Sequence, residues 1–108
     1  MKRIVTSTQT EKQFATAVGD LLRSCGYVFL HVFEQEHYAR RTTKGFPDYF
    51  AIHVETFHLV VLEIKSEKGQ LTPHQEWWLM ALRKACPQAV VRVVRPSQWE
   101  ELVTLLRR

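Results

Sequence analysis

With 108 residues, 45% apolar and 24% charged, the chain is long enough for one hydrophobic core, and this composition excludes extended disorder past the first few residues. Two cysteines, Cys25 and Cys86, are too few for a secreted disulfide scaffold or a cysteine-based zinc site. Fifteen Lys and Arg against eleven Asp and Glu leave a formal charge of +4, an excess that favours polyanionic partners.

Met1-Lys2-Arg3 is basic, but the Ile4-Val5 that follows falls far short of a signal-peptide core, and no apolar run reaches membrane-spanning length. A soluble cytoplasmic protein of one domain, residues 1–108, is expected. Thr10 and Gln13 form a capping box that predicts a first helix running to about Ser24, with Gly26 as its stop. Its apolar stripe is Phe14, Val18, Leu21, Leu22 and Cys25. Glu11 precedes Phe14 and Val18 on the same side of the helix, an unusual place for a carboxylate. It can favour the helix N-terminus through the dipole, or serve as an acid of a site.

Tyr27 to Phe33 reads as a strand, followed by a polar loop over 34–46 in which His37, Tyr38, Arg40, Arg41 and Lys44 are candidate nucleic-acid contacts. Two further strands are predicted over 48–54 and 58–64, both rich in aromatic and β-branched residues. Thr72-Pro73-His74-Gln75 starts a second helix that carries Trp77, Trp78, Met80, Ala81 and Leu82 and ends near Cys86-Pro87. Ala89 to Val94 supplies a fourth strand, and Ser97 caps a last helix with Trp99, Leu102, Val103, Leu105 and Leu106. The order α-β-β-β-α-β-α implies an α/β fold, a small mixed sheet flanked by helices. The three tryptophans are expected in the core rather than as base-stacking platforms. His31, His53 and His58 are expected in strands, partly buried and without a catalytic role.

The chemistry concentrates in one hairpin. If residues 48–54 and 58–64 fold back about Glu55-Thr56, Val54 meets Phe57, Ile52 meets Leu59, Phe50 meets Val61, and Asp48 meets Glu63. Opposed Cβ atoms on an antiparallel pair lie about 4.5–5.5 Å apart, so two carboxylates there repel unless a cation lies between them. Side chains alternate along a strand, which puts Lys65 on the face of Glu63. Glu55-Thr56 lacks the Gly or Asn of a tight primed turn, so a longer loop or a slip of two residues is compatible with the pattern. A slip of one is not. An acid followed two positions later by lysine is common on strand surfaces, and the convergence of Asp48 with that triplet is what points to a site. Gln75 fits both a capping box and the rim of that site. Lys68, Arg92 and Arg95 extend the basic cluster and are candidate phosphate contacts.

Glu11, Gly45-Phe46-Pro47-Asp48, Glu63-Ile64-Lys65 and Gly69-Gln70-Leu71-Thr72-Pro73-His74-Gln75 together resemble the virus-type replication-repair nuclease domain, VRR-NUC, of the PD-(D/E)XK superfamily. The resemblance spans nearly the whole chain. It implies a restriction-endonuclease-like core in which Asp48, Glu63 and the Ile64 carbonyl bind Mg²⁺ or Mn²⁺. It also implies that Lys65 orients or activates the attacking water, and that Glu11, directly or through water, and Gln75 complete the site. Free-standing members of this size resemble phage and bacterial proteins that pair as homodimers and cut branched DNA such as Holliday junctions. The function implied is a metal-dependent, structure-specific DNA endonuclease in a bacterial or phage-infected cell. The last and second helices are candidate dimer surfaces. Cys86-Pro87 departs from the glycine on which many relatives turn. Two other readings stay open: a nucleic-acid-binding module without chemistry, and a restriction-like duplex nuclease, for which 108 residues leave little sequence-reading surface.

Overall fold

The computed structural model describes residues 5–6, 9–32 and 43–107. Helix α1 (Glu11–Ser24) leads into strand β1 (Tyr27–His31), and β2 (Tyr49–His53) and β3 (Leu59–Ile64) follow. Helix α2 (Pro73–Ala85), β4 (Val90–Val94), a short 3₁₀ turn (Pro96–Gln98) and α3 (Trp99–Leu106) complete the chain. The sheet order is β1-β2-β3-β4, antiparallel except for the parallel β3–β4 pair that α2 connects. The expected α/β order is therefore observed. Among the described residues no helix is long and apolar enough to cross a membrane.

Two apolar layers lie on opposite faces of the sheet. Phe14, Ala17, Val18 and Leu22 of α1 and Trp99, Leu102 and Leu106 of α3 pack with Tyr49, Ala51, Val60, Leu62 and Ile64. On the other face, Leu79 of α2 meets Val61 and Val91, with Phe50 and Leu59 partly covered. Strand β3 is central and covered on both sides, which explains its nearly unbroken apolar run. Glu63 is the one charged residue buried within it.

Helix α1 begins where the capping box predicts. The Thr10 hydroxyl accepts from Gln13 N–H at 3.1 Å, and the Gln13 side chain accepts from Thr10 N–H at 3.0 Å. Gly26, at φ +88°, reverses the chain into β1 without the steric penalty a side chain would carry. Gly19 serves a different purpose. The Tyr49 hydroxyl donates to the Ala15 carbonyl at 2.8 Å, and a Cβ at Gly19 would lie 2.6 Å from that hydroxyl. The start of β2 is thereby tied to α1, one residue from Asp48.

The β2–β3 register pairs Ile52 with Leu59, Ala51 with Val60, Phe50 with Val61 and Tyr49 with Leu62, as the sequence pattern predicts. The turn is longer than a two-residue connection. His53 N–H donates to the His58 carbonyl at 3.0 Å, and Phe57 N–H donates to the His53 carbonyl at 3.0 Å. Val54 and Phe57 therefore stand in a four-residue loop rather than as a strand pair, and His58 precedes β3. The loop is stable without glycine because the His53 Nδ1 accepts the N–H groups of Glu55 and Thr56. Phe57 carries the left-handed conformation at φ 61°.

Two helical expectations are corrected. Only Leu79 of α2 is buried, while Trp77 is 55% exposed, so the tryptophans do not share one fate: Trp99 is core and Trp77 is surface. Ser97 does not cap α3. Pro96 starts a 3₁₀ turn, Gln98 precedes the helix, and the Ser97 N–H donates instead to Glu67 Oε2 at 3.0 Å. Strand β1 is assigned over Tyr27–His31, and Phe33 and the loop residues through 42 lie outside the described residues.

Candidate active site

Asp48 reaches its place through a turn that docks on α2. Gly45, at φ +84°, presses so closely on the helix that a Cβ there would lie 2.7 Å from the His74 carbonyl carbon. Phe46 stands edge-on to Trp78 with ring centroids 4.9 Å apart, and the Trp78 Nε1–H donates to the Lys44 carbonyl at 3.1 Å. Pro47 is fully buried. The Asp48 carbonyl accepts from Val32 N–H at 2.7 Å, and its Oδ2 accepts from Ile64 N–H at 2.7 Å.

That last bond fixes the geometry. Tyr49 pairs with Leu62, so the next residues along, Asp48 and Glu63, face each other, and Asp48 uses its side chain where a strand would use a carbonyl. Glu63 is 2% exposed, and its Oε2 accepts from Gln75 Nε2 at 3.1 Å. The Gln75 Oε1 meanwhile accepts from Thr72 N–H at 2.9 Å, and Gln75 N–H donates to the Thr72 hydroxyl at 3.2 Å. The amide thus performs both roles proposed for it, capping α2 with its oxygen and holding a carboxyl with its nitrogen.

Burial and the neighbouring Asp48 carboxylate push Glu63 up to about 9, against the pull of the Lys65 ammonium. Burial raises Asp48 as well, opposed by the Ile64 N–H and by a side-chain hydrogen bond with Glu63. At neutral pH the pair therefore favours holding a proton in the absence of a cation. Lys65 lowers both acids and Glu11 raises both, so both charges act on the Asp48–Glu63 centre although Glu11 is exposed.

Two adjacent carboxyls whose proton could be replaced by a positive charge suit a hard divalent cation. The Ile64 carbonyl leaves the strand on the same side as its N–H, the side on which Asp48 lies, and so fits as a third oxygen donor. Among the described residues no three His, Cys, Asp or Glu side chains converge to hold an ion. The groups that could hold a cation here are the two carboxyls and the Ile64 carbonyl, with Glu11 bearing on them through its charge.

Of the expected phosphate contacts, Tyr38, Arg40 and Arg41, with His37, lie outside the described residues. Lys44 and Lys68 are exposed, Lys44 in the turn before Asp48 and Lys68 in the turn after Lys65. Two expectations fail. Arg92 is on the α3 face of the sheet, away from the acids, where it pairs with Glu101 at 2.9 Å. Arg95 points inward, its guanidinium donating to backbone carbonyls. Both lie on or beside β4, where alternation and loop closure decide direction, and charge clustering in sequence carries no such information. Sequence reasoning also missed Trp78 as the buttress of the Asp48 turn. Its signal was the pairing of an aromatic at 46 with one three positions past Gln75. No family model, curated protein or solved structure matches this chain.

Proposed function

We propose that the protein is a metal-dependent DNA endonuclease of the VRR-NUC type, with a PD-(D/E)XK core, acting on branched DNA such as a four-way junction. The observation that carries this reading is the pairing of half-buried Asp48 with buried Glu63, with Ile64 N–H and Gln75 orienting the carboxyls and Lys65 acting on both. A phosphodiester resists hydrolysis because its anionic oxygens repel a nucleophile and its leaving alkoxide is poor. Mg²⁺ or Mn²⁺ held by Asp48, Glu63 and the Ile64 carbonyl would supply a Lewis acid for a phosphate oxygen and a more acidic water.

The chain's own groups do the rest. The Ile64 N–H holds the Asp48 carboxyl by its Oδ2. Gln75 keeps the Glu63 carboxyl in one rotamer, so little reorganisation is needed when the proton leaves. Lys65 orients the attacking water and offsets charge developing on the phosphate. Lys44 and Lys68 contribute phosphate contacts on either side. Two symmetric cuts across a junction require two sites, which a homodimer provides. The apolar side chains of α3 are largely spent in the core, leaving the aromatic face of α2 as the dimer surface.

The test is cleavage of labelled junction, flap and linear duplex with Mg²⁺, Mn²⁺ or EDTA. Cleavage of branched substrate that requires metal supports the proposal. Tight binding of a junction with no cleavage in either metal would instead identify a binding module. Cutting at one short sequence irrespective of branching would identify a duplex nuclease.

A further inference from the structure

Arg95 follows β4 and belongs by charge with the phosphate-binding cations, yet its guanidinium is committed to the protein. Its Nη1 donates to the carbonyls of Ser66 at 2.7 Å, Gly69 at 2.7 Å and Glu67 at 3.3 Å. Those carbonyls form the turn that leaves β3 immediately after Lys65, closed by Gly69 N–H donating to the Ser66 carbonyl at 3.2 Å. Arg95 is itself held, since its N–H donates to Gln98 Oε1 at 2.9 Å. The same two segments meet again where Ser97 N–H donates to Glu67 and where Lys65 N–H donates to the Val94 carbonyl at 3.1 Å.

The turn lies against the lysine. A Cβ at Gly69 would sit 3.4 Å from Lys65 Cδ and 2.9 Å from the Ser66 hydroxyl oxygen. Gly69 does not have a left-handed φ, and its Cα lies near enough to the Lys65 stem for the turn to limit where that stem can go. Lysine carries a long, rotamer-rich stem, and its ammonium is useful only where it faces the acids. A wall against that stem removes alternatives.

We propose that Arg95 is a positioning residue: by gathering the carbonyls of residues 66–69 it holds the turn against the Lys65 stem and directs the ammonium toward Asp48 and Glu63. The planar guanidinium fixes Nη1 where the three carbonyls meet, which an ammonium on a shorter, flexible stem does less well. The consequence for rate rests on the nuclease reading; the geometry does not.

Two measurements separate them. In cleavage assays, Arg95→Ala and Arg95→Met should lower kcat by about 10- to 100-fold, the scale of a misplaced catalytic group, with little change in KM for DNA. In a Lys65→Ala background, Arg95→Ala should have no further effect, whereas general damage to the fold would lower both. Arg95→Lys should restore little, while added guanidinium should partly rescue Arg95→Ala. Independently of activity, the Lys65 Nζ NMR signal of the metal-free protein should be distinct in the wild type and move toward that of a free lysine in both variants. If Arg95→Ala fails to fold, Arg95→Met, which keeps the length of the stem and removes the donors, carries both readouts. An unmoved Lys65 signal together with wild-type kcat would overturn the proposal. A wild type that cuts nothing would end the nuclease reading, and the NMR signal alone would then decide the clamp.

Discussion

A carboxyl that is 2% exposed beside a second carboxyl is a costly arrangement for an apo protein, and Glu63 shows how the cost is managed. Its pKa rises from 4.5 to about 9, so the folded state holds a proton that the unfolded chain has released. Its stability contribution is full below pH 4.5 and is lost progressively as pH rises toward about 9. Thermal melts in EDTA should therefore show a falling midpoint across that window, and Glu63→Gln should flatten the fall. Parallel curves for the two proteins would contradict this account of the pair. Mg²⁺ or Mn²⁺ should raise the wild-type midpoint most at the alkaline end, where the proton is cheapest to displace, and should do little for the variant. For the chemistry itself, Asp48→Ala should abolish cleavage, and Lys65→Ala should lower kcat by about 10²- to 10⁴-fold, as removal of a positioned acid-base or electrostatic group does. Full activity in both would remove these residues from the mechanism.

At the scale of elements, the site depends on how a turn and a helix cap meet. Gly45 touches the first turn of α2 in a left-handed conformation, so Gly45→Ala faces both backbone strain and a 2.7 Å clash with His74. A loss of more than about 1–2 kcal/mol is expected from the conformation alone, read from denaturant midpoints. A fully stable variant would mean that the turn does not press on the helix. Thr72→Ala should cost about 1 kcal/mol as a lost N-cap. Because Gln75 uses one end of its amide for that cap and the other for Glu63, the same change should also lower kcat. Gln75→Ala should reduce activity more than Thr72→Ala, since it leaves a buried carboxyl oxygen without its donor. The capping boxes and the helix that follows each were legible in sequence because they are local patterns spanning four residues. That the β2–β3 turn exceeds two residues was legible from the missing Gly or Asn, but the histidine ring that stabilises it was not.

Across the whole molecule, the charge of +4 and the lysines flanking the acids predict DNA binding that weakens steeply with salt. A homodimer predicts a solution mass of twice the 12.7 kDa chain, measurable by light scattering. Trp77→Glu on the exposed face of α2 should leave a monomer that nicks one strand but no longer makes paired cuts. A monomeric wild type that still resolves junctions symmetrically would remove the dimer from the proposal. Periodicity and spacing alone determined the element order and the shared face of Asp48, Glu63 and Lys65, since alternation along paired strands is a rule of backbone geometry, while the structure chose the register of β2 on β3 from those two residues apart. Only the tertiary structure decided which cations stand exposed near the acids and which serve the fold, and that Trp99 is core while Trp77 is surface. Those outcomes depend on contacts between segments distant in the chain: Arg95 on the carbonyls after Lys65, Trp78 on the turn before Asp48, and Gly19 beneath the Tyr49 hydroxyl.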